Sequence, residues 1–412
     1  MMGVLRKVTP SFLLSRYHLL LAFAGALLYG FPSYSMVVIG VTGTNGKSTT
    51  VDMISRILKE AGFKTASLSS IRFQVGEQEE RNKLKMTMPG RFAIQQFLKE
   101  AKDKGCTHVV LEVTSEGILQ HRHRFIDFDA AVFTNLSPEH IERHGSFENY
   151  KAAKGKLFAA VKKVHVINGD DEHAGFFLSF PAENTVTYSF GKGDVEGKEL
   201  RSNERGVSFS LEGTVISLPL LGAFNASNAL GAIATVKTQG ISVATAKEAL
   251  AKIDKVPGRM EEVVSSPFRV IVDYAFTPAA LELVYQTLKT GNKLICVLGA
   301  AGGGRDRWKR PVLGKIASKH CNTVIITNED PYQEDPVQIM KEVAEGTNGK
   351  ATIIEDRREA VAAALRVAKS GDTVVITGKG SEDSIAQKGK KIPWDDREVA
   401  REEFGEIKRE PL

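Results

Sequence analysis

The chain has 412 residues, with 42% hydrophobic and 25% charged positions, which excludes a disordered or fibrous protein and predicts two or three domains with cores of their own. Its formal net charge is +6, with Lys and Arg dispersed among acids, so there is no basic stripe and no nucleic-acid partner is expected. The three cysteines, Cys106, Cys296 and Cys321, lie far apart without C-x-x-C spacing and are expected as buried thiols in a reducing compartment.

Residues 11–31, SFLLSRYHLLLAFAGALLYGF, are strongly apolar but carry Arg16 and His18. The uninterrupted apolar run within them is too short to span a bilayer comfortably. A helix docked on the protein is the first expectation, a membrane-surface or anchoring helix the second and a cleaved signal the last.

Residues 37–50, VVIGVTGTNGKSTT, organise the rest of the chain. A β-branched run, residues 37–41, predicts a strand buried on both faces. It passes through a glycine loop into residues with Val51, Ile54, Ile57 and Leu58 at helical spacing. Strand, glycine loop, Lys-Ser and helix make a phosphate-binding layout, because backbone N–H groups and the helix N-terminus attract phosphate oxygens. Lys47 would reach the terminal phosphates and Ser48 would ligate Mg²⁺. The spacing G-x-x-G-K-S is two residues shorter than the common form, and it still predicts a nucleoside triphosphate site.

Further strands are expected at residues 64–69, 108–113, 129–133 and 165–167, with helices at 91–104 and 147–161 and a polar hairpin or loop at 76–85. This alternation predicts a largely parallel sheet. Residues 185–221 read as short antiparallel strands at the sheet edge, and helices return at 225–237 and 243–253. Val256-Pro257-Gly258 reads as a hinge between domains. A second α/β series follows, with strands near 269–273, 293–298, 323–327, 351–354 and 372–377. The expected fold class is α/β in two parts, residues 37–257 and 258–412, behind an apolar N-terminal segment of residues 1–36.

Chemically interesting residues follow the strands. Glu112 ends one, which suits either a Mg²⁺ ligand or a capping acid. The loop at 134–145 holds His140 and His144, as metal ligands, acid–base groups or plain surface histidines. Lys151, Lys154 and Lys156 would by default be solvated, and Asn225 would by default cap a helix.

Nine stretches occur in order: GTNGKST, EVTSEG, TNLSPEHIERHG, YKAAK, LLGAFNASN, VPGRMEE, VDYAFTP, GRDRWKRP and GKGSED. Together they resemble the Mur ligase family, and within it the MurE type (UDP-N-acetylmuramoyl-tripeptide synthetase), which adds the third residue of the peptidoglycan peptide. The resemblance runs from about residue 37 to residue 397. It implies a P-loop-type central domain and a C-terminal Rossmann-like domain. It also implies a cytoplasmic, monomeric enzyme of peptidoglycan and cell wall biogenesis. Such ligases phosphorylate an acceptor carboxylate with ATP, and an amine then displaces phosphate from the acyl phosphate.

Carried onto this chain, the resemblance gives ATP contacts at Gly43, Thr44, Asn45, Gly46, Lys47, Ser48 and Thr49. Asn225 and Asn228 would meet the adenine, and Arg259 and Asp273 the phosphate and ribose. Ser48, Glu112 and His140 would hold Mg²⁺, and a carbamylated Lys154 would orient a second ion. Catalysis would fall to Lys47, His140 and Lys154. Thr87, Ser115, Gln120 and Arg122 match positions for a muramoyl-peptide acceptor. Arg305, Asp330, Tyr332, Gly378 and Glu382 match those for the free amino acid, Arg305 taking a carboxylate and Glu382 an ammonium.

Three departures qualify the resemblance. The family's uridine-diphosphate-binding domain does not precede the glycine loop in this sequence, which raises a uridine-free or membrane-linked acceptor. Tyr332 stands where diaminopimelate-adding enzymes have Arg, so a distal carboxylate loses its partner. Phe276 and Glu116 stand where His is usual. Two other readings compete: the same chemistry on a cyanophycin-like or poly-γ-glutamate-like peptide, and a non-catalytic ATP-binding scaffold.

Overall fold

The computed structural model describes residues 11–84, 86–289 and 291–407. Its first body is a nine-stranded sheet. Across the sheet the strands run Gln78–Arg81, Arg72–Val75, Thr65–Leu68, His108–Glu112, Val37–Thr42, Ala130–Phe133, Val164–Asn168, Asn184–Ser189 and Val195–Glu196. All neighbours pair in parallel except at the Arg72–Val75 and Gln78–Arg81 hairpin, which occupies part of the stretch expected as hairpin or loop.

Val37–Thr42 lies mid-sheet because its β-branched residues can be buried on both faces. Ile39 and Val41 face a core with Ile54, Ile57 and Leu230. Val38 faces a second core with Ile94, Leu98 and Leu157. Helices Lys47–Glu60 and Ala223–Lys237 cover the first face, and Arg91–Asp103 and Phe147–Ala160 the second.

The antiparallel strands expected at the sheet edge form a separate three-stranded sheet instead, Lys198–Asn203, Gly206–Leu211 and Thr214–Leu218. Val207, Phe209 and Leu211 alternate inward and need an apolar partner, which Ile233 and Leu250 supply in the first core. Before them, Asn184–Ser189 and Val195–Glu196 extend the main sheet in parallel.

The second body is a six-stranded sheet in the order Glu261–Val264, Arg269–Asp273, Thr373–Thr377, Leu294–Leu298, Thr323–Ile326 and Ala351–Ile353. It is parallel apart from its first strand, with apolar cores on both faces. A hairpin of Ser384–Gln387 and Lys390–Pro393 stands beside it.

The N-terminal segment forms the helix Ser11–Leu28, docked on Arg91–Asp103 as the first expectation had it. Ala22, Gly25 and Ala26 make the contact face, where an added Cβ on Gly25 would already touch the Arg91 carbonyl at 3.4 Å. Among the described residues no helix is long and apolar enough to cross a membrane.

One cysteine expectation is corrected. Cys296, in a central strand, and Cys321, just after the helix Lys309–His320, stand 6.1 Å apart at Cα and form a disulfide. The sequence conceals this because the 25-residue separation spans a helix that folds back onto the strand. Cys106 is a buried free thiol, as expected.

Candidate active site

The loops that follow Val37–Thr42, His108–Glu112 and Ala130–Phe133 leave the same edge of the first sheet, where doubly wound folds gather ligands. They face the six-stranded body across a cleft of about 650 Å³. Every residue that the resemblance assigned to nucleotide, metal, acceptor or amino acid lines this cleft, including Lys47, His140, Lys154, Arg259 and Glu382; His144, Lys151 and Lys156 do not.

The glycine loop is built as the sequence demands. Gly43 has φ 153°, and a Cβ there would lie 1.9 Å from the Thr134 hydroxyl; at Gly46, with φ 81°, it would lie 2.3 Å from Asn228 Oδ1. Asn135 fastens the loop by accepting from the Asn45 N–H at 2.9 Å and donating to the Asn45 carbonyl at 3.0 Å. Lys47 Nζ donates to the Thr44 carbonyl at 2.8 Å and stands 3.9 Å from Glu112. Burial draws its pKa down, with Glu112 opposing the shift.

Glu112 accepts from the Ser48 hydroxyl at 2.7 Å and from the Ser70 N–H at 2.9 Å. Its carboxylate therefore sits beside the loop, and the capping reading falls away: Thr114 caps the next helix by accepting from Gly117 N–H. Ser48 and Glu112 offer two oxygen donors, the chemistry that Mg²⁺ prefers. Among the described residues no three His, Cys, Asp or Glu side chains converge as a ready-made cage. The rest of a Mg²⁺ shell would come from phosphate oxygens and water, which suits an ion that keeps much of its hydration.

Lys154 is unlike its neighbours. Lys156 is exposed and Lys151 pairs with Glu148, whereas Lys154 is 1% exposed and donates to the Gly43 carbonyl at 2.6 Å. Its ammonium also lies 4.6 Å over the Tyr150 ring. Burial, reinforced by Lys47, pushes its pKa well below the ordinary lysine value. His140 is held neutral in the same way, its pKa lowered to about 2 by burial and by the cations Arg305, Lys309, Lys154 and Lys47. A neutral imidazole keeps the lone pair that a metal ligand needs.

The helix Ala223–Lys237 begins earlier than expected, with Gly222 as its N-cap, so Asn225 is not the cap. Asn225 donates to the Leu221 carbonyl at 2.8 Å and accepts from Asn228 at 3.2 Å. Opposite them stand Ala280, Leu283 and Val284, an apolar ledge in the cleft.

From the second body, Asp273 accepts from the Met260 and Ala275 N–H groups, both at 2.7 Å. Arg259 stacks 4.4 Å over Tyr274 and donates to the Ser70 hydroxyl at 3.1 Å, so it bridges the two bodies. Phe276, in place of the usual His, meets Tyr274 edge-on at 5.0 Å and carries Lys309 over its ring at 4.9 Å.

Among the residues expected to meet the acceptor, Ser115 shares a 3.1 Å hydrogen bond with His144 Nε2, and Arg122 donates to the Gln120 side chain at 2.9 Å. Thr87 is half-buried nearby. The extra charge expected from Glu116 is offset by Arg143 at 2.9 Å. Among the residues expected to meet the free amino acid, Tyr332 packs against Gly303 and hydrogen-bonds Arg305. Asp330 and Glu382 both contact the fully buried Lys379, the former at 2.9 Å. An added Cβ at Gly378 would meet Glu329 Oε2 at 2.3 Å.

Sequence reasoning missed a latch between the bodies. Asp306 accepts from the Ile141 and Glu142 N–H groups at 3.0 and 2.9 Å, and Glu142 accepts in return from Arg307 N–H at 2.7 Å. Lys309 donates to Glu139 at 2.7 Å, with both side chains almost wholly buried. Each group thus flanks His140, whose backbone is left-handed at φ 57°. Asp306 and Lys309 lie in GRDRWKRP and Lys379 in GKGSED, so the motifs contained them, but only contact across the cleft reveals their partners.

Fold and cleft together define a phosphate-loop enzyme of two α/β bodies. Residues 41–236 match the Mur ligase middle domain, and residues 258–380 the Mur ligase glutamate ligase domain. The chain is 40% identical to the UDP-N-acetylmuramoyl-L-alanyl-D-glutamate–2,6-diaminopimelate ligase of Syntrophomonas wolfei, over 93% of this chain and 81% of that one. It is 34% identical to the UDP-N-acetylmuramyl-tripeptide synthetase of a Roseiflexus species, over 98% and 85%. A solved UDP-N-acetylmuramoyl-L-alanyl-D-glutamate–2,6-diaminopimelate ligase superposes with a TM-score of 0.61 at 32% identity, covering 91% and 79%. Mycobacterium tuberculosis folylpolyglutamate synthase, solved with ADP and AMPPCP, shares the fold at a TM-score of 0.74 and 20% identity, over 96% of each chain. The chain belongs to the Mur ligase family, ATP-dependent ligases that join an amino acid to an acid.

Proposed function

We propose that the protein adds an amino acid to a carboxylate of a muramoyl-dipeptide-like peptidoglycan precursor. The observation that carries this reading is one cleft holding the glycine loop, the buried Lys154 and the acceptor and amino-acid residues together. The two sheets act as domains, residues 37–257 and 258–412, that close over the nucleotide, with Arg259 and the Asp306 latch crossing between them. The chain works as a monomer in the cytoplasm, with a membrane-surface contact through residues 11–31.

The acceptor carboxylate attacks the γ-phosphorus of ATP, giving an acyl phosphate and ADP. The amine then attacks the acyl carbon, and the tetrahedral intermediate expels phosphate as the amide forms. Two anions must meet in the first step, so Lys47 neutralises the γ-phosphate and the loop N–H groups cradle its neighbours. Ser48, Glu112 and His140 would hold Mg²⁺, which offsets phosphate charge when bound. Burial lowers the pKa of Lys154 and so eases loss of its proton, which lets the amine take up CO₂; the resulting carbamate would supply oxygens for a second Mg²⁺. Asn225, Asn228 and the apolar ledge take the adenine, and Asp273 the ribose. Thr87, Ser115, Gln120 and Arg122 hold the acceptor. Arg305 takes the amino acid's carboxylate, and Glu382, shared with Lys379, its ammonium.

Tyr332 gives no cation for a distal carboxylate, so we propose a monocarboxylic amino acid rather than diaminopimelate, although relatives such as that of S. wolfei are named for the latter. The test is phosphate release with ATP and Mg²⁺ across acceptors and amino acids. The acceptors are UDP-MurNAc-L-Ala-D-Glu, its uridine-free form and γ-glutamyl peptides. Release that requires a muramoyl acceptor plus one amino acid supports the reading. Release on γ-glutamyl peptides alone, or nucleotide binding without release, overturns it.

A further inference from the structure

The helix Ser11–Leu28 has two unlike sides. His18, Ala22, Gly25 and Ala26 form its buried stripe. The opposite side presents Phe12, Leu20, Phe23, Leu27 and Leu28, which are 43–68% exposed, and Tyr34 beyond the helix is 70% exposed. Single exposed hydrophobes are ordinary, but a continuous row of them along one helix marks a contact surface.

Charge decides what fits that surface. Residues 1–46 contain Arg6, Lys7 and Arg16 and no acid at all, the first acid being Asp52. Arg16 is exposed on the apolar side. Ser15 hydrogen-bonds the His121 ring at 2.7 Å, a ring whose protonation is disfavoured first by burial and then by the nearby cations Arg124, Lys156 and Arg91. An apolar strip with a basic border matches the interface of a bilayer that carries anionic headgroups. A symmetric pair of copies would instead bring Arg16 and its basic neighbours toward their like-charged counterparts.

We infer that this face docks on an anionic phospholipid surface, the helix lying in the interfacial plane. This deepens the reading of residues 11–31 given above and rests on it. The docked helix also stands beside the acceptor wall: Arg91, on the helix beneath it, donates to the Gln120 carbonyl at 2.9 Å, and Gln120 lines the cleft. Docking therefore turns the acceptor end of the cleft toward the membrane.

The experiment is flotation of the full chain with vesicles of phosphatidylcholine alone or mixed with phosphatidylglycerol. The protein is expected to float with the mixed vesicles, at least about tenfold less with phosphatidylcholine alone, and less as salt is raised. The triple variant Leu20→Glu, Leu27→Glu, Leu28→Glu should lose flotation while keeping its melting temperature and its phosphate release. Arg16→Glu, a milder change, should weaken it in part. The inference is overturned if the wild type stays unbound, if wild type and variants float alike, or if light scattering shows a dimer that the triple variant dissociates. Lost flotation with phosphate release intact overturns the surface alone; intact flotation without phosphate release overturns the ligase reading alone.

Discussion

On the wall of the cleft supplied by the nine-stranded sheet, Lys47 and Lys154 make their short contacts with backbone carbonyls, at 2.8 and 2.6 Å, and the nearest carboxylate to Lys47 is 3.9 Å away. On the wall supplied by the six-stranded sheet, Lys379 is fully buried between Asp330 and Glu382, and Lys309 is bound to Glu139 across the cleft. The first wall is open to anions: Lys47 has only a long 3.9 Å pairing with Glu112, so phosphate can approach it without breaking a short ion pair. On the second wall Lys379 is already paired with two carboxylates, so on the proposed reading a zwitterionic amino acid exchanges partners to enter. On that reading phosphate binding is preorganised, while amino-acid binding is a competition. That difference implies that charge changes on the first wall act on turnover and those on the second act on selectivity or stability.

The largest effect should come from Lys154→Ala. Turnover should fall at least about 100-fold, the scale of losing an organised charge at a phosphoryl-transfer site, while ATP binding stays measurable. Short carboxylic acids should restore part of the rate, because they can replace carbamate oxygens. Phosphate release with and without added acid, beside a nucleotide titration, checks this. Full activity of the variant would remove the lysine from the metal-orienting role and leave the first wall without its distinguishing group.

Next is the latch. Asp306→Ala should lower kcat roughly 10–100-fold, since a small displacement of His140 misaligns the reacting groups. KM for ATP should change little, because the glycine loop is held separately by Asn135. Asp306→Asn keeps one acceptor and should fall between. If KM for ATP rises in parallel with the loss of kcat, Asp306 acts on nucleotide binding rather than on the His140 loop.

The two walls were unequally legible in the sequence. Strand, glycine loop and helix are contiguous from Val37 to Glu60, so local pattern alone placed them. The resemblance to a family placed Lys154, which spacing alone left as one of three solvated lysines. The pairings of Asp306 with Ile141, Lys309 with Glu139 and Cys296 with Cys321 join segments distant in sequence, and no periodicity encodes such contacts. The separate sheet of residues 198–218 escaped for a related reason: alternation shows which side of a strand is buried, not which core buries it.

A smaller effect is expected at Tyr332. Tyr332→Arg adds a cation beside Arg305, so kcat/KM for meso-diaminopimelate relative to lysine should rise about tenfold, the scale of one charge-assisted contact. Tyr332 has φ 54° and packs on Gly303, so the backbone already holds the side chain over the pocket. Competition between the two amino acids in one reaction reads the ratio directly. An unchanged ratio would mean that position 332 does not select the substrate.

The smallest effect concerns Glu329, whose pKa burial raises from 4.5 to about 7, with Arg357 and Lys379 opposing and Asp330 and Glu382 assisting. Its Oε2 is buried without a hydrogen-bond partner. Below pH 4.5 the carboxyl is protonated in folded and unfolded chains alike and contributes nothing to pH dependence. Between 4.5 and 7 the folded chain keeps a proton that the unfolded chain releases, so stability falls as pH rises; above 7 the loss is complete. Glu329→Gln removes this dependence and should gain on the wild type by roughly 1–3 kcal/mol between pH 5 and pH 8. Denaturation curves at the two pH values measure the gain. If the two proteins respond to pH in parallel, Glu329 is already ionised at pH 5, and Arg357 and Lys379 outweigh its burial.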